Sequence, residues 1–182
     1  ISAQQRFASI RARLEELGLW DENALVMCAP GAVFNAAGEP AAAELFSAVS
    51  APMAVLTAGR YAREFIRKPH SLRAETDDAA QMFGVRVPVR SAPRRGDSAC
   101  IIPGTGFIVT ARFENELIAA CILLEKLSMT ALLSHRIGTP KPLGAPLCLM
   151  EHAVYTKKYS RPSLAAAQGE EPERKAQEVP DL

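Results

Sequence analysis

Residues 100–126 read CIIPGTGFIVTARFENELIAACILLEK, and the parsing of this stretch decides the architecture. Two apolar runs, Ala99 to Ile102 and Phe107 to Thr110, flank Pro103-Gly-Thr-Gly106. The simplest reading is one buried strand, interrupted or bent at a glycine pair. From Phe113 the period changes: Phe113, Leu117, Ala120, Cys121, Leu124, Leu127 and Ala131 recur at helical steps, which predicts a core helix to about Arg136. Gly104 and Gly106 do not form a dinucleotide or Walker loop, because PGTG leads into a strand and not straight into a helix.

Working outward from this stretch, the same alternation of short apolar runs and amphipathic segments continues. A helix is predicted from Ser2 to Leu17, with Phe7, Ile10, Leu14 and Leu17 on one face and Gly18 as its stop. Ala24 to Cys28 reads as a buried strand ending in the Pro30-Gly31 turn, Ala41 to Val49 as a helix, and Met53 to Leu56 as a second buried strand. Arg60 to Ile66 can form a helix that Pro69 breaks. Thr76 to Phe83 forms another, with Thr76 as N-cap, two aspartates in the positive first turn and Gly84 as its end. Val85 to Val89 alternates like a strand, with Pro88 placing it at an edge. After the Pro/Gly connector 138–144, a last helix is predicted over Ala145 to Tyr159, with Leu149, Ala153 and Tyr155 facing inward. These elements predict an α/β layered domain over residues 1–162, followed by a flexible acidic tail over 163–182.

Bulk properties narrow the function classes. The 182 residues suit one domain, and a formal net charge of +1 gives no global field for nucleic acid or a membrane surface. The basic residues around Arg60 to Lys68 and Arg86 to Arg95 are not interleaved with aromatic rings, so single-stranded nucleic acid lacks a stacking platform. No uninterrupted apolar run reaches the roughly 18 residues of a membrane span, and a cytoplasmic address is expected. Cys28, Cys100, Cys121 and Cys148 are widely spaced in apolar surroundings, without a CxxC pair, and read as buried reduced thiols.

Taken in order, the segments from about Arg6 to Tyr159 resemble the class II aldolase/adducin family. Residues 11–19, RARLEELGL, are similar to its opening helix ending in Gly-Leu. Residues 38–45, GEPAAAEL, are similar to the small-residue run before a catalytic glutamate, here Glu44. Residues 53–59, MAVLTAG, resemble the strand that ends in a His-x-His pair in active members. Residues 76–89 resemble the acidic helix and following strand. The stretch at 100–126 resembles the Asn-His-Gly strand and the helix after it, whose central glutamate is Glu125 here. The resemblance implies a three-layer α/β/α fold with a mixed, mainly antiparallel central sheet.

Active members of that family hold a divalent metal, usually zinc, on three histidines; the metal stabilises a developing oxyanion on a sugar phosphate while a carboxylate moves the proton. At the matching positions stand Thr57, Gly59 and Thr105. A threonine hydroxyl is a poor zinc ligand and glycine offers none, so the expectation is a degenerate member without a cofactor, zinc being the alternative. PGTG then reads as a degenerated catalytic turn, with Thr57, Gly104, Thr105, Gly106, Arg60 and Arg63 as candidate ligand-binding residues and Glu44 as the candidate base. Arg60, Arg63 and Arg67 share a helical face that could grip a phosphate or lie solvated. His70, His135 and His152 have no metal-site spacing. The tyrosines near His152 to Pro162 suit a subunit boundary or a plain helix end, and the resemblance implies a homo-oligomer, in particular a tetramer. The preferred function is a non-catalytic oligomeric scaffold or partner-binding protein. The alternatives are a lyase or epimerase acting on a small sugar phosphate or aldehyde with Glu44 as base, and a phosphate-ligand sensor.

Overall fold

Ser2 starts the first helix by a reciprocal cap: its hydroxyl accepts from Gln5 N (3.1 Å), while Gln5 Oε1 accepts from Ser2 N (2.9 Å). Helix α1 (Ala3–Glu16) then buries Phe7, Ile10 and Leu14. The computed structural model describes residues 1–138 and 141–167, the side chains of 135–137 and 158–167 excepted. After α1 come β1 (Leu25–Ala29), β2 (Ala32–Asn35), a 3-10 turn (Glu44–Phe46), β3 (Met53–Thr57), α2 (Arg60–Phe65), β4 (Leu72–Arg73), α3 (Asp77–Phe83), β5 (Arg86–Val87), β6 (Ala99–Ile102), β7 (Gly106–Ala111), α4 (Glu114–Ile137) and α5 (Ala145–Ala167).

The main sheet runs in the order β2-β1-β3-β7-β6, and every neighbouring pair is antiparallel. Among the described residues, parallel pairing is confined to the isolated bridge between Val89 and Ile101. The strand period of two divides the core. Val26, Met53, Val55, Ile101, Phe107 and Val109 face α1, α2 and α4, whereas Met27, Ala54, Leu56, Cys100, Ile102 and Ile108 face a smaller cluster closed by Phe46. The expected α/β layering with a mainly antiparallel sheet is therefore present. The layer on the second face is thin, because the helix expected over 41–49 is only the 3-10 turn, with Ala41, Ala43, Leu45 and Val49 packed onto the sheet. Pro40 bridges to Phe34 and Ala41 N donates to Val33 O, so the start of this segment is held extended beside β2.

The stretch at 99–110 is not one bent strand. It is a hairpin: Ile101 pairs with Phe107 and Ile102 with Gly106, across a turn in which Gly104 has φ +67°. Gly106 is glycine for a second reason, since a Cβ there would stand 2.9 Å from the carbonyl oxygen of Thr57 on β3. The pair that looked like a bend is one turn residue and one close-approach residue.

The two-residue strands β4 and β5 pair beside this sheet, and α3 lies between them in sequence. Thr76 caps α3 as expected, its hydroxyl accepting from Ala79 N at 3.3 Å. α4 buries Leu117, Cys121, Leu124 and Leu127. It is also long and apolar enough to cross a membrane by composition alone, but less than half of that window is buried in the protein. All four cysteines are free and buried, as read from their surroundings. Of the tail expected from 163, residues 163–167 continue α5, and 168–182 lie outside the described residues.

Candidate functional site

β3 ends at Thr57, and the chain turns through Ala58 and Gly59 into α2. Gly59 is the N-cap residue of α2 but has no side chain with which to cap it. The missing acceptor comes from α4: Glu125 Oε1 accepts from Tyr61 N (2.7 Å) and Oε2 from Ala62 N (3.1 Å). A carboxylate here meets unpaired N–H groups and the positive end of the helix dipole, so it is both well solvated by the protein and stabilising for α2. It is also tight against the turn. A Cβ at position 59 would lie 2.5 Å from Glu125 Oε2.

Thr57 is closed off in the same way. Its side chain is buried and its hydroxyl donates to the carbonyl of Leu19 in the loop after α1. Leu19, Thr57, Gly59, Phe107, Cys121 and Glu125 line a cavity of only about 10 Å³, room for a single water at most. The Cys121 thiol in that lining is pushed up to about 12 by burial, so it is held neutral and non-nucleophilic. The region between β3 and α4 is thus packed and hydrogen-bonded, with no volume for a sugar-sized molecule.

The remaining candidates lie apart from one another. Thr105 is exposed on the β6–β7 turn beside Gly104, and its hydroxyl makes only a long contact to Pro103 O (3.4 Å). Arg60 is exposed, with its guanidinium 5.7 Å from the Tyr61 ring. Arg63 pairs with the buried Asp21 at 3.6 Å, and Arg67 pairs with Glu64 at 3.0 Å. Glu44 is exposed on the 3-10 turn, in the segment covering the sheet face opposite α4. His70 stands edge-on to Phe65, and His152 Nδ1 hydrogen-bonds Gln81 O at 2.7 Å, so that nitrogen carries the proton. The cavities lined by His70 and by His152 contain neither Glu44 nor Arg60, and the side chain of His135 lies outside the described residues. Among the described residues no group of three or more His, Cys, Asp or Glu is placed to hold a metal.

One residue whose role the sequence did not suggest is Glu125. A signal for it was present: a charged residue between Leu124 and Leu127, whose neighbours in the helix face the core, needs a buried partner. A glycine opening a helix without Ser, Thr, Asp or Asn was the other half of that signal. A second polar cluster, also unforeseen, lies at the other end of β7. There Arg112 pairs with Glu116, and the Tyr155 hydroxyl donates to Glu116 Oε1 (3.3 Å). These line a cavity of about 210 Å³ with Thr110 and His152. Burial, followed by the Glu116 charge, holds the Tyr155 phenol above its ordinary range.

No family model and no curated protein matches the chain. Solved structures do. An L-fuculose 1-phosphate aldolase superposes with a TM-score of 0.69 at 12% identity, covering 85% of this chain and 96% of the other. YgbL of Klebsiella pneumoniae, described as a putative aldolase/epimerase/decarboxylase, gives 0.57 at 17% identity, covering 81% and 98%. The L-fuculose 1-phosphate aldolase of Glaciozyma antarctica PI12 gives 0.59 at 14% identity, covering 92% and 89%. The chain has the class II aldolase/adducin-like fold.

These neighbours correct one expectation. The chain was expected to use no cofactor, but its fold is that of aldolases, and the resemblance drawn above makes class II aldolases zinc-dependent, so a cofactor-free protein does not follow from this frame. The fit of zinc to the three matched positions is a separate matter. Thr57 is engaged with Leu19, Gly59 has no ligand atom and faces a carboxylate, and Thr105 is exposed on a turn; these three residues do not fit zinc, and no reaction step is derived through it.

Proposed function

We propose that this protein is a non-catalytic, class II aldolase-like scaffold that acts in the cytoplasm as a homo-oligomer binding a protein partner. The observation that carries this reading is the Glu125 carboxylate, which caps α2 across Gly59 and leaves only about 10 Å³ beside Thr57. A catalytic carboxylate must reach a substrate atom at about 3 Å in a space that admits the substrate. Glu125 is instead committed to two backbone amides, and Glu44, the candidate base, is exposed on the opposite side of the sheet.

The test is a cleavage assay on the purified protein with L-fuculose 1-phosphate and other small sugar phosphates, with zinc added, followed by NMR of the substrate. The expected result is no product above the uncatalysed rate. Turnover of any of them that Glu44→Gln abolishes would support the rival reading, a lyase or epimerase, which the names of the structural neighbours favour.

A further inference from the structure

The cavity at the Arg112 end of β7 lies away from the matched positions. Thr57 pairs with Phe107, whereas Ala54 and Met53 pair with Thr110 and Ala111, so the two places are separated by the length of the β3-β7 ladder, roughly 13 Å. Its volume of about 210 Å³ is below the roughly 300–1,000 Å³ of sites for drug-sized ligands, and suits a molecule of a few non-hydrogen atoms. Met82, Phe83 and Ala120 supply its apolar lining.

The polar lining has a definite unused capacity. Glu116 is filled from inside the protein: Oε2 accepts from Arg112 N (2.8 Å) and Arg112 Nε (3.2 Å), and Oε1 from Arg112 Nη2 and the Tyr155 hydroxyl (3.3 Å). A carboxylate offers about four lone-pair sites, so none is left for a ligand. Arg112 is in the opposite condition, since a guanidinium carries five N–H donors and Glu116 takes only two of them. Its side chain is 28% exposed against 10% for Glu116, so the cation is the member of the pair open to the cavity. The Phe113 and Tyr155 rings, 6.0 and 5.9 Å away, flank the guanidinium and hold the fork in place. Ser98 is fixed beside it by Thr110 N, which donates to Ser98 O (2.9 Å), and its hydroxyl has no partner among the described residues. His152 commits its Nδ1 proton to Gln81 O (2.7 Å), which makes Nε2 an acceptor.

We propose that this cavity binds a short hydroxycarboxylate. Arg112 and Ser98 donate to the ligand's carboxylate, His152 Nε2 accepts from its hydroxyl, and Met82, Phe83 and Ala120 cover a chain of about three or four carbons. One carboxylate is the limit, because Glu116 already offsets the Arg112 charge and a second anion would lie unpaired against apolar side chains. The hydroxyl matters because an acceptor nitrogen facing a bare hydrocarbon or a carboxylate loses its hydrogen bond to water and gains none. The inference goes beyond the reading above and does not rest on it: either can fail without the other.

The test is an amide NMR titration of the full chain, at constant pH and ionic strength, with sodium lactate and sodium 3-hydroxybutyrate. Propionate and butyrate, the same chains without the hydroxyl, and sodium sulfate run beside them. At least one hydroxy acid should give saturating shifts at Ser98, Arg112 and His152, with a Kd on the order of a millimolar. The counterpart without the hydroxyl should bind roughly tenfold more weakly. Ser98→Ala, which removes a hydroxyl with no internal partner, should weaken binding severalfold, and Arg112→Lys by roughly tenfold, since the planar fork is lost. A thermal melt checks that both variants fold, and if Arg112→Lys unfolds, Ser98→Ala and the hydroxyl comparison decide. Absence of saturating shifts with both hydroxy acids would overturn the inference, as would equal affinity with and without the hydroxyl, or a folded Ser98→Ala that binds like the wild type. The same shifts with sulfate would mark an adventitious ion only, and would overturn it too.

Discussion

Gly59 and Gly106 both sit where a Cβ would collide, but with different kinds of atom. At Gly59 the obstacle is the tip of the Glu125 side chain, which can swing aside at the expense of its two hydrogen bonds to α2. Gly59→Ala should therefore cost about 1–2 kcal/mol, the value of a lost helix cap. Glu125→Ala should cost a similar amount, and the double variant little more than either single, a non-additivity that denaturant melts of all four proteins would reveal. At Gly106 the obstacle is the backbone carbonyl of Thr57, which cannot move without parting β3 from β7. Gly106→Ala should thus be the worse change, at about 3 kcal/mol. The thiols supply a pH prediction. Burial raises Cys121 from the ordinary thiol value of 9.0 to about 12, so above pH 9 the unfolded chain loses this proton while the folded chain keeps it. The unfolded state then binds fewer protons, and stability falls as pH rises between 9 and about 12, by at most about 1.4 kcal/mol per pH unit for that thiol. Urea midpoints at pH 8, 9 and 10 would show it, and Cys121→Ser should flatten the slope. At this scale the burial of the cysteines was legible from their neighbours in the sequence. The role of Glu125 was harder to read, because its partners are 63 and 64 residues away and are backbone amides, so that only its charge on a core-facing stretch and the uncapped Gly59 hint at it.

Among the elements, those with their own local chemistry read correctly. α1 and α3 have a cap, a period and a stop in their own stretch of sequence, and α4 has the period and the Gly138 stop, although its N-cap residue Phe113 makes no side-chain cap. Thr76→Ala should accordingly destabilise α3 by about 1 kcal/mol in a thermal melt, since one orphan N–H of Ala79 loses its acceptor. The elements that misread are those defined by a partner. β4 is two residues that exist as a strand only by pairing with β5, whereas β5 itself lies inside the strand expected over Val85 to Val89. β2 is four residues that become a strand by pairing with β1 beyond Gly31. The hairpin at 99–111 has apolar arms on both sides of a turn of only three residues, Pro103 to Thr105, which reads equally well as a bend within one strand. α5 was expected to bury Leu149 and Ala153, whereas both are exposed and the inward side is Cys148, His152 and Tyr155. The apolar period was correctly seen as helical. Which side it faced could not be read from a helix with apolar residues on both sides.

For the molecule as a whole, the frame is separable from the side chains at the positions that the resemblance matches to a reaction centre. The sheet order, the face-by-face core and the position of α4 follow from apolar patterning, which is why the fold resembles the aldolases at only 12–17% identity. A reaction centre depends on a handful of side chains, and at the matched positions the side chains make internal contacts: Thr57 to Leu19, Glu125 to α2. The account stands on that closure. It is tested most directly by amide NMR of the folded protein during titration with L-fuculose 1-phosphate and added zinc, read at Gly59, Tyr61 and Ala62. The account predicts that these three resonances stay in place, because their donors and the space around them are already occupied by Glu125. Saturating shifts of all three at one equivalent of ligand would show that the centre opens to a substrate, and would contradict it.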